Sequence, residues 1–245
     1  VSDSLCMSSY KAAIEGGDHK RVPDNCHETP TIVGHEFCGD IVEVGENWKH
    51  KYKVGDKFVI QPAHYHKGSQ MAPGYSYNYC GGNAQYGNVP IETLLENCLL
   101  PYESDTYYYG SLAEPLRCVI GTFHAMYHTK AGSYVHEMGI KEGGKMALLA
   151  SVGPMGLAAI DYAIHCDRKP SLLVVTDIDE ARLQRAASIY TVEDAKANGI
   201  ELHYVNTSSG ADAEAAIMAL TDGKGYDDVF CFAPVRPVVE MSDRL

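Results

Sequence analysis

The chain has 245 residues, enough for one large or two medium domains with real cores, and a formal net charge of -12. Its Lys and Arg are scattered, which argues against a nucleic-acid or anionic-membrane surface, and no apolar run approaches the ~18 residues of a membrane helix. Eight cysteines without a CxxC pair fit neither a small disulfide scaffold nor a four-thiolate zinc lobe, so reduced thiols and a cytoplasmic location are expected. Val1 is not a start methionine and Leu245 falls inside an apparent helix, so the text reads as a segment of a longer protein.

Up to about residue 116 the chain is rich in Gly, Pro and Tyr, with short strand patterns at 31–44, 57–60, 84–89 and 98–100 between turn clusters. An irregular β-rich domain over 1–116 is expected. From 117 the rhythm changes to helix 118–128, strand 145–150, helix 154–165, strand 171–176, helix 179–188, strand 201–206, helix 211–221 and strand 227–232. Strands alternating with helices imply right-handed βαβ crossovers and a parallel, doubly wound sheet over 117–245.

The first β/α turn of that second half reads Ala150-Ser151-Val152-Gly153-Pro154-Met155-Gly156. In the GxGxxG dinucleotide fingerprint the middle glycine lets backbone approach the pyrophosphate and the third lets helix pack on strand, with the phosphates at the helix N-terminus. Gly153 and Gly156 hold those places, and Ser151 stands where the first glycine is expected. By itself the pattern also describes an ordinary Gly-Pro turn. Asp177, 21 residues beyond Gly156, ends the next strand, where a carboxylate accepts both ribose hydroxyls and repels a 2′-phosphate. NAD(H) is therefore favoured; Arg182, which could stack near the adenine or attract that phosphate, keeps NADP(H) open.

A catalytic zinc needs three protein ligands and one open position. Gly34-His35-Glu36, entered from Thr31-Ile32-Val33, sets an imidazole beside a carboxylate at a strand end. Cys6 and His35 are the first two candidate ligands, Glu114 in Leu112-Ala113-Glu114-Pro115-Leu116 is the third, and Glu36 is an adjacent or exchanging one. Taken singly, each has an ordinary structural reading: Cys6 as a small core residue, Glu114 as a carboxylate at a helix N-terminus, His35 as a hydrogen-bonded buried histidine.

Together the motifs say more. Cys6-Met7-Ser8-Ser9, Gly34-His35-Glu36-Phe37, Gly55-Asp56, Gly81-Gly82-Asn83-Ala84-Gln85-Tyr86, Glu114-Pro115-Leu116 and Gly153-Pro154-Met155-Gly156 occur in an order that resembles the zinc-dependent medium-chain alcohol/polyol dehydrogenase superfamily. The resemblance implies a GroES-like catalytic domain followed by a Rossmann nucleotide domain, truncated at both ends. It implies a homo-oligomer, dimer or tetramer, for the full-length protein. Cys6, His35 and Glu114 match the zinc-ligand places of the polyol branch, Glu36 the adjacent glutamate, and Ser8 the hydroxyl that exchanges a proton with the substrate oxygen. Ser9 stands where many members have the aspartate that orients the ligand histidine, so His35 must find another acceptor. Lys11 stands at the usual relay-histidine place, to pass a proton, bind a ribose hydroxyl or face solvent. The structural-zinc lobe is absent from the text, so one catalytic zinc per chain is expected.

Further blocks, among them Cys118-Val119-Ile120-Gly121 and Gly132-Ser133-Tyr134, resemble the sugar-phosphate reductases of the superfamily. They imply reduction of L-sorbose 1-phosphate to D-glucitol 6-phosphate; the charge and the lack of a long apolar run give the expectation of no nucleic-acid or membrane partner. A general polyol, sugar or threonine dehydrogenase is the alternative, and a non-catalytic nucleotide-binding relative is the alternative of another class. Arg117, Lys67, His64 and His66 are candidate phosphate ligands whose ordinary reading is surface solvation.

Overall fold

The computed structural model describes residues 2–245, in two compact units that meet between Pro115 and Leu116. The first carries β1 (Ser2–Asp3), α1 (Met7–Glu15), β2 (Phe37–Asp40), β3 (Lys57–Ile60), α2 (Ile91–Leu95), β4 (Leu99–Pro101) and α3 (Tyr107–Ser111). Its four strands form an antiparallel sheet in the order β1-β2-β3-β4. Two small apolar clusters support it, Phe37, Ile60, Tyr77 and Cys80 in one and Ala12, Val22, Ala72 and Tyr75 in the other.

Helix α4 (Ala113–Ala125) crosses the junction and is followed by β5 (Tyr127–His128), β6 (Glu137–Met138), β7 (Lys145–Leu149), α5 (Pro154–His165), β8 (Leu172–Asp177), α6 (Glu180–Ile189), α7 (Val192–Ala197), β9 (Glu201–Asn206), α8 (Ala211–Ala219), β10 (Asp228–Cys231) and α9 (Arg236–Arg244). The parallel sheet runs β10-β7-β8-β9, so the strand order reverses between β7 and β10. Along β8 the apolar run serves both faces. Leu173 and Val175 pack with Met146, Leu148, Ile160 and Ile164, whereas Leu172 and Val174 pack with Ile217. A parallel sheet covered by helices on both sides has no polar face, which is why these strands show no alternation in the text. Each such side chain, fully withdrawn from water, contributes about 1.5–3 kcal/mol.

Several sequence expectations need correction. No strand forms over 84–89; that stretch, punctuated by Gly87 and Pro90, follows a turn-rich path. Of the strand expected over 31–44 only Phe37–Asp40 is regular, because residues 32–34 bond instead to the 77–83 loop through Ile32 N to Tyr77 O and Asn83 N to Val33 O. The helix expected at 118–128 begins at Ala113 and stops at Ala125, since Tyr127 and His128 pair with Met138 and Glu137 in a hairpin. The tight turn expected at Ser151 is made by Ala150, at φ 53°. Helix α1 was not apparent in the pattern, because only Ala12 of its nine residues is buried.

Candidate metal centre and nucleotide turn

The pairing of β1 with β2 assembles the centre. Ser2 lies opposite Cys38 and Asp3 opposite Phe37, and the ladder continues with the Ser4 amide donating to Glu36 O at 3.1 Å. Cys6, two residues further, is the N-cap of α1 and comes to the His35-Glu36 step. The Cys6 thiol, an imidazole nitrogen of His35 and a Glu36 carboxylate oxygen all lie within 4.8 Å of one another. Both His35 and Glu36 are buried, at 5% and 6% exposure.

Each member is held. Ser9, in the first turn of α1, places its hydroxyl 2.9 Å from His35 Nδ1. This corrects the expectation that His35 must look past Ser9 for a partner: the serine hydroxyl is itself within hydrogen-bond distance, and in the tautomer with Nδ1 protonated it accepts from the ring and leaves Nε2 with its lone pair. The Tyr75 hydroxyl lies 3.1 Å from Nε2. Ser4 donates to Glu36 Oε2, and the Glu36 amide donates to Asp3 Oδ1 at 3.1 Å. The loop carrying Tyr75 fits only because Gly74, at φ 76°, lacks a side chain; a Cβ there would collide with Gly34 O and His35 Cα.

Electrostatics suit a ligand set. Burial, with a smaller effect from the Arg21 charge, lowers the His35 pKa against the opposing pull of Glu36, so the imidazole is neutral near pH 7. Burial raises the Cys6 thiol, a tendency that the Ser8 amide and hydroxyl oppose and Glu36 reinforces. A cation at this point would have to displace the thiol proton, as zinc does on binding cysteine. One thiolate, one imidazole and one carboxylate form a donor set that fits a borderline ion in a tetrahedral site.

The other sequence candidates fall as follows. Glu114, in the first turn of α4, lies outside the 4.8 Å group, although its charge is felt at the Tyr75 hydroxyl. Ser8 is exposed, and its hydroxyl opposes the burial-driven rise in the pKa of both Cys6 and Tyr75. Lys11 is exposed and faces Glu15 at 3.5 Å. Of the phosphate candidates, His66 pairs with Glu96 at 2.7 Å, and Lys67 and Arg117 are exposed. His64 departs from the solvated reading: it is 6% exposed, and neither ring nitrogen has a hydrogen-bond partner. Tyr75, Ser4 and Asp3 were not singled out by sequence reasoning, and no spacing rule would have found them.

In the second unit, the Ser151 amide donates to Thr176 O at 2.9 Å and its hydroxyl to Leu148 O at 2.8 Å, which locks the turn between β7 and α5 against β8. A Cβ on Gly156 would run into the Ser151 backbone, so the first turn of α5 packs directly on the strand end. A Cβ on Gly153 would meet nothing within 4 Å, leaving the N-cap of α5 open. Pro154 follows at the first helical position, and Met155 beside it is exposed. Asp177 Oδ1 accepts from the amides of Ile178 and Asp179, and the Arg182 guanidinium faces Asp179 at 3.6 Å. A left-handed turn, an open helix N-terminus and an acid at the next strand end lie beside the point where strand order reverses, the arrangement expected of a dinucleotide turn.

Residues 3–102 match the alcohol dehydrogenase GroES-like domain. Over its full length the chain is 54% identical to mannitol-1-phosphate 5-dehydrogenase of Aliivibrio fischeri and, across 246 aligned residues, 44% identical to L-sorbose 1-phosphate reductase of Klebsiella pneumoniae. The chain carries the alcohol dehydrogenase GroES-like domain and, over its whole length, is similar to sugar-phosphate dehydrogenases. It spans 58% of the length of each of these relatives. The zinc dependent alcohol dehydrogenase 2 of Streptococcus pneumonia, in its apo form, shares the dehydrogenase fold at a TM-score of 0.67 and 23% identity, covering 99% of this chain and 63% of that one. The GroES-like match includes Cys6, His35 and Glu36 and stops short of Glu114. Among the described residues no helix is long and apolar enough to cross a membrane.

Proposed function

We propose that the protein carrying this chain is a zinc-dependent oxidoreductase that moves a hydride between a nicotinamide cofactor and a carbonyl carbon of a sugar or polyol phosphate. The observation that supports this most directly is the convergence of Cys6, His35 and Glu36, with the imidazole held from behind by Ser9. These three would hold the metal, and Glu114 remains the additional carboxylate that the polyol branch would contribute. Bound zinc supplies a Lewis acid for the carbonyl oxygen, and bound NAD(P)(H) supplies the hydride donor or acceptor.

The chain's own groups then have distinct tasks. Ser9 fixes the tautomer and aim of His35, and burial keeps that ring neutral. Ser8, whose hydroxyl lowers the pKa of both Cys6 and Tyr75, is the hydroxyl that exchanges a proton with the substrate oxygen. Lys11 is a weaker relay, because it is exposed and faces Glu15. The 151–156 turn would take the pyrophosphate and Asp177 the ribose hydroxyls, favouring NAD(H). Arg182 already faces Asp179, which weakens its case as a 2′-phosphate ligand.

Two substrates are supported. L-sorbose 1-phosphate, reduced to D-glucitol 6-phosphate, follows from the blocks that resemble the sugar-phosphate reductases. Mannitol 1-phosphate, oxidised at C5, is favoured by the higher identity, 54% against 44%. The names place the phosphate differently, next to the ketone carbon in sorbose 1-phosphate and far from C5 in mannitol 1-phosphate. Steady-state assays of the full-length protein with both phosphates, their unphosphorylated parents and threonine, each with NAD(H) and NADP(H), separate the readings. Turnover of threonine or free polyols in preference to both phosphates would refute the proposal, as would a purified active enzyme whose metal content is nil.

A further inference from the structure

We infer that Arg21 is the cation that recognises the substrate phosphate, an assignment that rests on the sugar-phosphate reading above. Arg21 lies on the segment between α1 and β2, one tyrosine ring from the metal centre. Its Cζ is 5.9 Å from the Tyr75 ring centroid, and the hydroxyl of that ring is the one bonded to His35. The guanidinium also lies 5.2 Å from the Tyr65 ring centroid.

The side chain is built into place yet keeps its charge. Nη1 donates to Gln70 O and Nη2 to the Tyr65 hydroxyl, both at 2.9 Å. The Arg21 carbonyl accepts from the Ser76 hydroxyl at 2.7 Å, which ties the segment to the loop carrying Tyr75. Among the described residues Arg21 makes no ion pair, and its two side-chain bonds go to neutral acceptors. Most of its five N–H donors therefore remain for a ligand. A planar guanidinium with free donors is the group that binds a phosphate in a two-point fork.

Two further observations give the site its direction. The Arg21 guanidinium sits 5.9 Å from the Tyr75 ring, whose hydroxyl lies 3.1 Å from His35, so its charge lies on the side of the unit that holds the candidate metal centre. In a chain of net charge -12, an anionic substrate needs such a local counter-charge. Tyr65, which braces the guanidinium, has φ 47°, and Lys67 two residues on has φ 49°. Left-handed backbone at two residues with side chains is the kind of strain that proteins retain at ligand sites.

The test uses full-length enzyme, wild type and the variants Arg21→Gln, Arg21→Lys and Tyr65→Phe, with melting temperature and zinc content recorded for each. KM and kcat are measured for a sugar phosphate and its unphosphorylated parent, with inorganic phosphate as competitive inhibitor. Arg21→Gln should raise KM for the phosphorylated substrate and the phosphate inhibition constant about ten-fold or more, the scale of one charge-assisted hydrogen bond. Turnover of the unphosphorylated parent should stay within about two-fold, Arg21→Lys should recover part of the loss, and Tyr65→Phe should show a smaller selective loss. Equal losses on both substrates would overturn the assignment, as would unchanged phosphate inhibition. Should Arg21→Gln fail to fold, Tyr65→Phe decides in the same way. A wild-type enzyme indifferent to phosphate sinks the underlying functional reading, whereas a phosphate-selective wild type whose Arg21→Gln variant keeps that selectivity sinks only Arg21.

Discussion

Replacing Ser9 by alanine removes the group that aims the candidate ligand His35. The lost contact is a 2.9 Å hydrogen bond to Nδ1 of an imidazole that is 5% exposed, so the freed ring nitrogen has little access to water. A neutral hydrogen bond contributes about 0.5–1.5 kcal/mol, and leaving a buried donor unsatisfied costs about 1–3 kcal/mol. Because the ring can then rotate or change tautomer, metal affinity should fall by about 10–100-fold, the usual effect of deleting a partner behind a metal-bound histidine. Titration of the full-length protein with zinc against a competing chelator measures this directly, and Ser9→Asp, which restores an acceptor and adds charge, should recover or exceed the wild-type affinity. Unchanged zinc affinity in Ser9→Ala, with the fold intact, would refute the role given to this serine.

Gly156→Ala should cost about 1–3 kcal/mol in denaturant unfolding and weaken dinucleotide binding, because its Cβ meets the Ser151 backbone and not a side chain that can turn away; a neutral result would mean that α5 is not packed on the turn as described. Asp177→Ser should shift cofactor preference toward NADP(H), read as about a ten-fold change in the ratio of the two KM values, by removing the carboxylate that repels a 2′-phosphate. Asp3 supplies a pH test in chelator-treated protein. Burial, aided by the charge of Glu36 and opposed by its amide, raises the Asp3 pKa from 3.8 to about 6, so folding favours the protonated acid. That contribution is complete below pH 3.8 and lost as pH rises through about 6, so Asp3→Asn should flatten the fall in stability over this window; an identical pH profile for variant and wild type would refute it.

The parallel half was legible because its signals are local. The strands over 145–176 are continuous apolar runs, α5 begins at a Gly-Pro pair, and the observed helix Pro154–His165 and strand Glu201–Asn206 coincide with the pattern. The first half was legible mainly through its motifs. Its strands are two to four residues long, too short to establish a period, and Met7, Tyr10 and Ile14 are exposed along α1, which blurs its apolar face. Turn chemistry misled at 84–89, where a strand-like composition follows a bent path between glycines.

From the residues alone came the donor types, thiol, imidazole and carboxylate, together with the nucleotide turn and the order of the two halves, because each depends on side-chain chemistry or on neighbours within a few positions. Tertiary structure decided which donors meet and what stands behind them. The β1–β2 register brings Cys6 to His35 and Glu36, α1 turns Ser9 toward Nδ1, and the Gly74 loop brings the Tyr75 hydroxyl to Nε2. Those contacts join residues far apart in the chain through backbone hydrogen bonds and side-chain-free close approaches, which leave no periodic trace in a sequence.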